Sequence, residues 1–372
     1  MCESEDDDDD NVAMTKEWTL PSRRLHKLWD TLIYDDDVKN RLLNYACTAM
    51  IFSDQGIDPS IISWNRVVLL HGPPGTGKTS LCQALAQKLS VRFQDRYRGG
   101  SQLVEVNAHS LFSKWFSESG KLVAKLFSRI HEMLEDEDVL TFILLDEVES
   151  LTAARSAAVS GSEPSDAIRV VNALLTQLDA LKSCSNVMIL TTTNITGAVD
   201  SAFIDRADIK AFIDLPSVHA RYEILRSCIQ EMTHRGIFCE ESQGQLYPFE
   251  IISGRDFLYL LQSTREVVRS TDTRTSNLND RNFRLSLSLG FVAQELKGVS
   301  GRSLRKLPFL SYASCQSTLS FGGTHKIDCI QLIRELWRTS QVELAMKEYL
   351  SKNEKCDMAS AGNVPDPREC PF

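Results

Sequence analysis

Between residues 66 and 216 the apolar positions fall into two alternating textures. Short, mainly apolar runs stand at 67–71, 103–107, 141–145, 187–193 and 211–215. Runs of this kind read as strands. Between them apolar residues recur every three or four positions: Leu81, Ala84, Leu85 and Leu89 make one stripe, and Ile168, Val171, Leu174, Leu175 and Leu178 another. Stripes with that spacing read as amphipathic helices. The alternation predicts an α/β domain over 66–216, with a five-stranded parallel sheet flanked by crossover helices.

The pattern changes on both sides of that domain. Leu25, Leu28 and Trp29, then Leu42, Leu43, Ala46 and Ala49, keep helical spacing and predict a helical lead-in over 17–65. After Pro216, helical stretches at 221–233, 298–313 and 327–350 predict a smaller helical domain over 217–350; the last stretch carries Leu332, Ile333, Leu336, Trp337 and Leu344. Within that domain the sequence near 254–289 is polar and rich in Ser, Thr, Asn and Arg, which reads as a loop or insertion. The acid run in residues 1–16 and the proline-bearing segment 351–372 lack the apolar content to order themselves and are expected to be disordered tails.

Composition excludes some classes. Hydrophobic residues are 42% and charged residues 24% of the chain, ordinary usage for a globular protein. No apolar stretch approaches the roughly 18 residues that span a bilayer, so no membrane partner is expected. The acidic first ten residues are unlike a secretory signal or an arginine-rich transit peptide, and the cytosol or nucleus is the expected compartment. Ten cysteines are scattered from Cys2 to Cys370 with no CxxC pair, and they read as reduced thiols. A net charge of −9 gives no global pull toward nucleic acid, so no direct nucleic-acid binding is expected.

The chemistry is concentrated at the ends of the predicted strands. Gly72, Pro73, Pro74, Gly75, Thr76, Gly77, Lys78 and Thr79, with Ser80 behind them, fit the P-loop pattern between a strand and a helix. Its glycines let backbone N–H groups wrap phosphates, Lys78 reaches the β and γ phosphates of ATP, and Thr79 holds Mg²⁺. The run at 141–145 ends in Asp146 and Glu147, at the strand end where parallel sheets place their ligand crevice. Acids there are often merely solvated. Beside a P-loop, Asp146 is expected to act on the magnesium shell and Glu147 to orient and activate the attacking water. Asn194 ends the next strand, where its amide either positions that water or closes a local turn. Lys114, Trp115 and Phe116 follow the second strand among Ser113, Ser117, Glu118 and Ser119. Adjacent aromatics are commonly buried anchors, but these polar flanks suit exposure better.

Six segments taken together resemble the pachytene checkpoint protein 2 family, AAA+ remodellers of HORMA-domain proteins. They are 71–79, 107–123 (NAHSLFSKWFSESGKLV), 145–155 (LDEVESLTAAR), 163–173 (EPSDAIRVVNA), 203–210 (FIDRADIK) and 298–310 (GVSGRSLRKLPFL). The likeness covers residues 18–350. It implies an AAA+ P-loop domain with a C-terminal helical lid, ATP and Mg²⁺ as cofactors, and a ring, generally a hexamer. It also implies HORMA-domain partners, engaged directly or through an adaptor. In that family the ring draws a flexible segment of the partner into its pore and converts the closed form to the open form, in meiotic recombination, synapsis and checkpoint control. The implied compartment is the nucleus, on meiotic chromosomes, with the cytoplasm as a second location.

The resemblance also assigns roles. Asn194 takes the sensor-1 position, and Lys114, Trp115 and Phe116 the pore loop. Arg206 is the candidate arginine finger and Arg302 the candidate sensor-2 residue, with Arg305 its rival on the adjacent face. The usual AAA arginine pair would fall on Asp205 and Asp208, which displaces Arg206 by one and leaves a surface salt bridge as its other reading. The family carries an N-terminal binding domain before the ATPase pattern, whereas few structured residues are expected here, so adaptor-bound substrate is expected to be engaged poorly. Two other functional classes fit a P-loop: a nucleotide-gated scaffold, whose sign would be a missing glutamate at position 147, and a DNA-acting AAA+ protein, whose sign would be a basic surface or appended binding module.

Overall fold

Six strands form the sheet of the first unit: β1 (Thr15–Leu20), β2 (Val67–His71), β3 (Gly100–Asn107), β4 (Val139–Asp146), β5 (Val187–Thr193) and β6 (Ile209–Phe212). Their order across the sheet is β1-β3-β4-β5-β2-β6. Neighbours from β3 to β6 are parallel, and β1 joins β3 antiparallel at the edge. The computed structural model describes residues 15–58, 61–108, 119–150, 166–194, 201–237, 240–242, 245–247, 253, 277–316 and 329–361. It divides at Asp214/Leu215 into two units.

Alternation along each strand sorts the side chains onto two faces. Val67 and Leu69, Val104 and Val106, Ile143 and Leu145, and Val187 and Ile189 share one core with α3 (Ser119–Leu134) and α4 (Asp166–Ala180). Val68 and Leu70, Phe142 and Leu144, and Met188 and Leu190 share the other with α1 (Val38–Asp54) and α2 (Lys78–Arg92). Each large side chain removed from water in this way stabilises by about 1.5–3 kcal/mol. Burial on both faces explains why β2, β4 and β5 read as mainly apolar runs.

The structure departs from the sequence reading in several places. The sheet has six strands where five were expected, and the lead-in over 17–65 opens as a strand before turning helical. Trp18 anchors that strand: it stands opposite Leu103, with the Lys16 ammonium 4.3 Å and the Arg24 guanidinium 5.2 Å from its ring centre. At the other edge, β6 covers 209–212 and not 211–215.

The second unit contains α5 (Val218–His234), α6 (Asn277–Glu295), α7 (Gly301–Gln316) and α8 (Cys329–Ala361), with a small hairpin of β7 (Glu240–Ser242) and β8 (Gln245–Tyr247). Ser217 caps α5 by accepting the Ala220 N–H. Leu225, Ile229, Leu289, Leu296, Leu304, Leu307, Leu332 and Leu336 are buried in this unit. Arg221, 4% exposed, donates to the Ala293 and Pro216 carbonyls and ties α5 to α6. The polar stretch read as an insertion near 254–289 is helical from 277 onward; residues 254–276 lie outside the described residues. The helix expected to stop at 350 continues to Ala361, where a disordered tail was expected.

One buried amide fixes how β4 enters the sheet. Asn186, 1% exposed, reaches three carbonyls with its Nδ2: Leu134 at 3.2 Å, Asp136 at 2.9 Å and Val139 at 3.0 Å. An amide nitrogen can donate to these acceptors, and a carboxylate cannot. Asn186→Ala should cost about 1–3 kcal/mol, because the buried Leu134 carbonyl loses this donor, and Asn186→Asp should cost more, because it places an anion against three carbonyl oxygens. Denaturant unfolding checks the order; an Asp variant more stable than the Ala variant would contradict it.

Candidate active site

The P-loop begins under a steric constraint. Gly72 sits at φ +142°, and a Cβ there would lie 2.2 Å from the Ile213 carbonyl oxygen. That oxygen is fixed beside it because the Ile213 N–H donates to the His71 carbonyl at 2.8 Å. Only glycine leaves room for the chain to turn here. At the far end Gly77, at φ +92°, caps α2, and its carbonyl accepts the Leu81 N–H at 2.8 Å. Tyr34 from the lead-in covers this turn, with its hydroxyl 3.4 Å from the Thr76 and Gly77 carbonyls. The loop therefore presents the N-terminal end of α2, with Lys78 and Thr79 in its first turn, as an anion site.

Lys78 is 5% exposed, and its ammonium donates to the Gly72 and Pro73 carbonyls at 2.8 Å each. Burial, and then the nearby Lys78 charge, lower the His71 pKa below its ordinary value, so His71 stays neutral beside the loop. Thr79 donates its hydroxyl hydrogen to Asp146, 2.9 Å from Oδ1 and 3.2 Å from Oδ2. That orientation leaves the lone pairs of Thr79 Oγ1 for a cation. A hydroxyl oxygen and a carboxylate are hard donors that suit Mg²⁺, and the N–H groups around the loop suit phosphate. The residues present fit Mg²⁺ and a nucleoside triphosphate.

Glu147 follows Asp146 at φ +61°, in the left-handed region where a non-glycine residue is uncommon. Its N–H meets Thr192 Oγ1 at 3.4 Å, and the next N–H, of Val148, donates to the Thr192 carbonyl at 3.0 Å. The Thr192 hydroxyl donates to Asp146 Oδ1. At the end of β5, Asn194 Nδ2 donates to Glu149 Oε1 at 2.9 Å. The other oxygen of Glu149 is buried and has no hydrogen-bond partner among the described residues.

The structure thus gathers Lys78, Thr79, Asp146, Glu147 and Asn194 at one end of the sheet, the carboxyl ends of β2, β4 and β5. Arg206 is at the opposite end. Two residues on, the Asp208 N–H donates to the Val67 carbonyl, so Arg206 stands beside the start of β2. The P-loop begins about 13 Å further along that strand. The Arg206 guanidinium is held by Asp179, Nε to Oδ1 at 3.0 Å and Nη2 to Oδ2 at 2.6 Å, and by the Ala202 carbonyl. It is thus in an ion pair, 26% exposed at its side chain. Asp208, where the usual pattern has an arginine, accepts from Tyr45 Oη at 2.5 Å and from Asn65 N at 2.7 Å, so it ties α1 to the start of β2. Arg302 and Arg305 are exposed on α7 in the second unit. Lys114, Trp115 and Phe116 lie outside the described residues.

A mostly parallel sheet with a glycine-formed P-loop after one strand, and an acid pair and an asparagine at the ends of the next two, defines a P-loop domain of the AAA+ class. Residues 68–215 match the family described as "ATPase family associated with various cellular activities (AAA)", and residues 217–344 match "TRIP13-like, AAA+ ATPase lid C-terminal domain". The chain belongs to the pachytene checkpoint protein 2 family. It is 53% identical over 338 residues to the pachytene checkpoint protein 2 homolog of Oryza sativa subsp. indica, covering 91% of this chain and 68% of that protein. With the Arabidopsis thaliana homolog it shares 54% over 308 residues, 82% of this chain and 63% of the relative. The solved structure of C. elegans PCH-2 matches with a TM-score of 0.70 and 37% identity, over 89% of this chain and 76% of that one. This chain spans about two thirds of the length of its curated relatives, 68% and 63% in these two cases.

Sequence reasoning missed Thr192 and Glu149 at the site, and Asp179 beside Arg206 at the other end of the sheet. Thr192 is one of three consecutive threonines, Glu149 is a second acid after a stronger motif, and Asp179 follows a helix stripe as an ordinary polar residue. Their partners are distant in sequence, so no local pattern marks them.

Hydrogen bonding from Arg206 holds the Asp179 carboxyl below the usual carboxylate range. A depressed acid contributes stability that is whole at neutral pH and is lost as pH falls through the lowered value. Asp179→Asn should cost at most about 1 kcal/mol at neutral pH, since the pair is near the surface. The difference from wild type should vanish under acid conditions. Denaturant unfolding at the two pH values checks this; a gap that persists in acid would contradict it.

Proposed function

We propose that the chain hydrolyses ATP in a ring of its own copies and uses the cycle to draw a segment of a HORMA-domain protein through the pore, converting that partner from its closed to its open form. The observation that carries the reading is the Thr79–Asp146 contact, which joins the P-loop to the acid pair in a chain of this family. Backbone N–H groups of the loop and Lys78 hold the phosphates, and Thr79 and Asp146 hold the magnesium site. Held there, Mg²⁺ would supply positive charge against the negative charge of the phosphates during phosphoryl transfer. Glu147 accepts a proton from the attacking water, and Asn194 orients that water toward the γ phosphate.

Arg206 lies too far from its own P-loop to serve it, which supports a role toward the nucleotide of a neighbouring copy. Arg302, or Arg305 beside it, reports nucleotide state from the lid. In keeping with the family, the ring is a hexamer that acts in the nucleus on meiotic chromosomes, with recombination, synapsis and checkpoint control as its setting. The partner is engaged directly or through an adaptor.

Two experiments test the separate halves of this reading. Glu147→Gln should keep ATP affinity while kcat falls by about a hundredfold or more, because an amide cannot take the proton; Lys78→Ala should lose nucleotide binding itself. Hydrolysis by the Gln variant near the wild-type rate would remove Glu147 from its role, and a wild type that binds ATP without turnover would return the scaffold reading. For the pore, Trp115→Ala should leave melting and basal ATPase near normal while HORMA conversion, followed by ion exchange, is lost. A joint fall in all three, with the roughly 3–5 kcal/mol typical of a lost core aromatic, would make Trp115 a structural anchor.

A further inference from the structure

We propose that Thr192 is the positioning residue that sets both acids of the site, an inference that rests on the ATP-hydrolysis reading above. Thr192 is 2% exposed and stands on β5 beside the end of β4, since Leu145 pairs with Thr191. A hydroxyl carries one hydrogen and two lone pairs. Here the hydrogen goes to Asp146 Oδ1, and the oxygen faces the Glu147 N–H at 3.4 Å. The backbone of the same residue completes the hold, because its carbonyl accepts the Val148 N–H at 3.0 Å. Thr191, next door, turns its hydroxyl to the Val68 carbonyl at 2.8 Å and so serves the sheet instead.

This single side chain links the two roles. By donating to Asp146 Oδ1 it fixes the carboxylate rotamer alongside Thr79, which donates to the same carboxylate. By engaging the Glu147 N–H it pins a residue held at φ +61°, a conformation that persists only where surrounding contacts over-determine it. Without the hydroxyl, Glu147 can relax toward ordinary backbone angles and carry its carboxylate away from the attacking water. A displacement on the scale of an ångström at such a position costs on the order of a hundredfold in rate. The phosphate cradle is built from other groups, so nucleotide binding in the absence of metal should be little affected.

The test compares Thr192→Ser with Thr192→Ala, which lose the same methyl group and differ in the hydroxyl alone. Melting temperature, affinity for a fluorescent ATP analogue with and without Mg²⁺, and kcat are measured on both and on wild type. The Ser variant should hold kcat within about threefold of wild type, while the Ala variant falls by about tenfold or more. Both should bind the analogue without metal as wild type does, and the Ala variant alone should lose the tightening that Mg²⁺ brings. A Ser variant that falls as far as Ala, or an Ala variant with wild-type kcat and wild-type Mg²⁺ response, would overturn the proposal. If wild type itself shows no turnover, the hydrolysis reading fails, and the Mg²⁺ response of Ala against Ser still decides whether Thr192 sets Asp146.

Discussion

His71 pairs with Thr193, and Leu145 pairs with Thr191, so the strands that carry the P-loop, the acid pair and Asn194 finish at one level of the sheet. Parallel pairing makes this level functional, because it sends three strand ends, with the residues that follow them, toward the same crevice. A slip of one residue in any of the three would turn its side chains to the other face. Both faces of β2, β4 and β5 are buried, and that double burial specifies the register. The packing of Phe142 and Leu144 against one helical layer, and of Ile143 and Leu145 against the other, is therefore what places Asp146 beside Thr79.

The same reasoning explains what the sequence made visible. Residues 67–71 and 187–193 are strands over the expected spans because their apolar residues on successive positions need cover on both faces. The P-loop was legible because its glycines answer to steric demands, as Gly72 against Ile213 illustrates. By contrast β1 was not legible: Thr15–Leu20 mixes Lys, Glu and Thr beside an acid run, and its place comes from a distant partner, β3. The helix over Asn277–Glu295 was hidden in a polar stretch, although Leu285, Leu289, Val292 and Ala293 form its buried side. Most of the polar ties of the candidate residues were equally invisible. Thr192 to Asp146, Asn194 to Glu149 and Arg206 to Asp179 each cross between separate elements.

Arg206 illustrates how a residue can be legible by type and not by setting. The sequence offered a finger or a surface salt bridge; the structure contains the ion pair and places the residue at the end of the sheet away from its own phosphate loop. The two readings are compatible on the proposed function, in which an arginine ordered by Asp179 would meet a phosphate presented by another copy. Asp208 holds the position where an arginine is usual, and it supports α1 and the start of β2. On this account catalysis is divided between copies, with the acids and the phosphate cradle in one and the cationic group in the next.

That division is the central claim, and the dependence of ATP turnover on protein concentration tests it most directly. With saturating ATP and Mg²⁺, turnover per subunit should be low in dilute protein and rise to a plateau as copies assemble, with assembly followed in the same samples by light scattering. Turnover that is independent of concentration while assembly changes would contradict the account, because each chain would then contain a complete site.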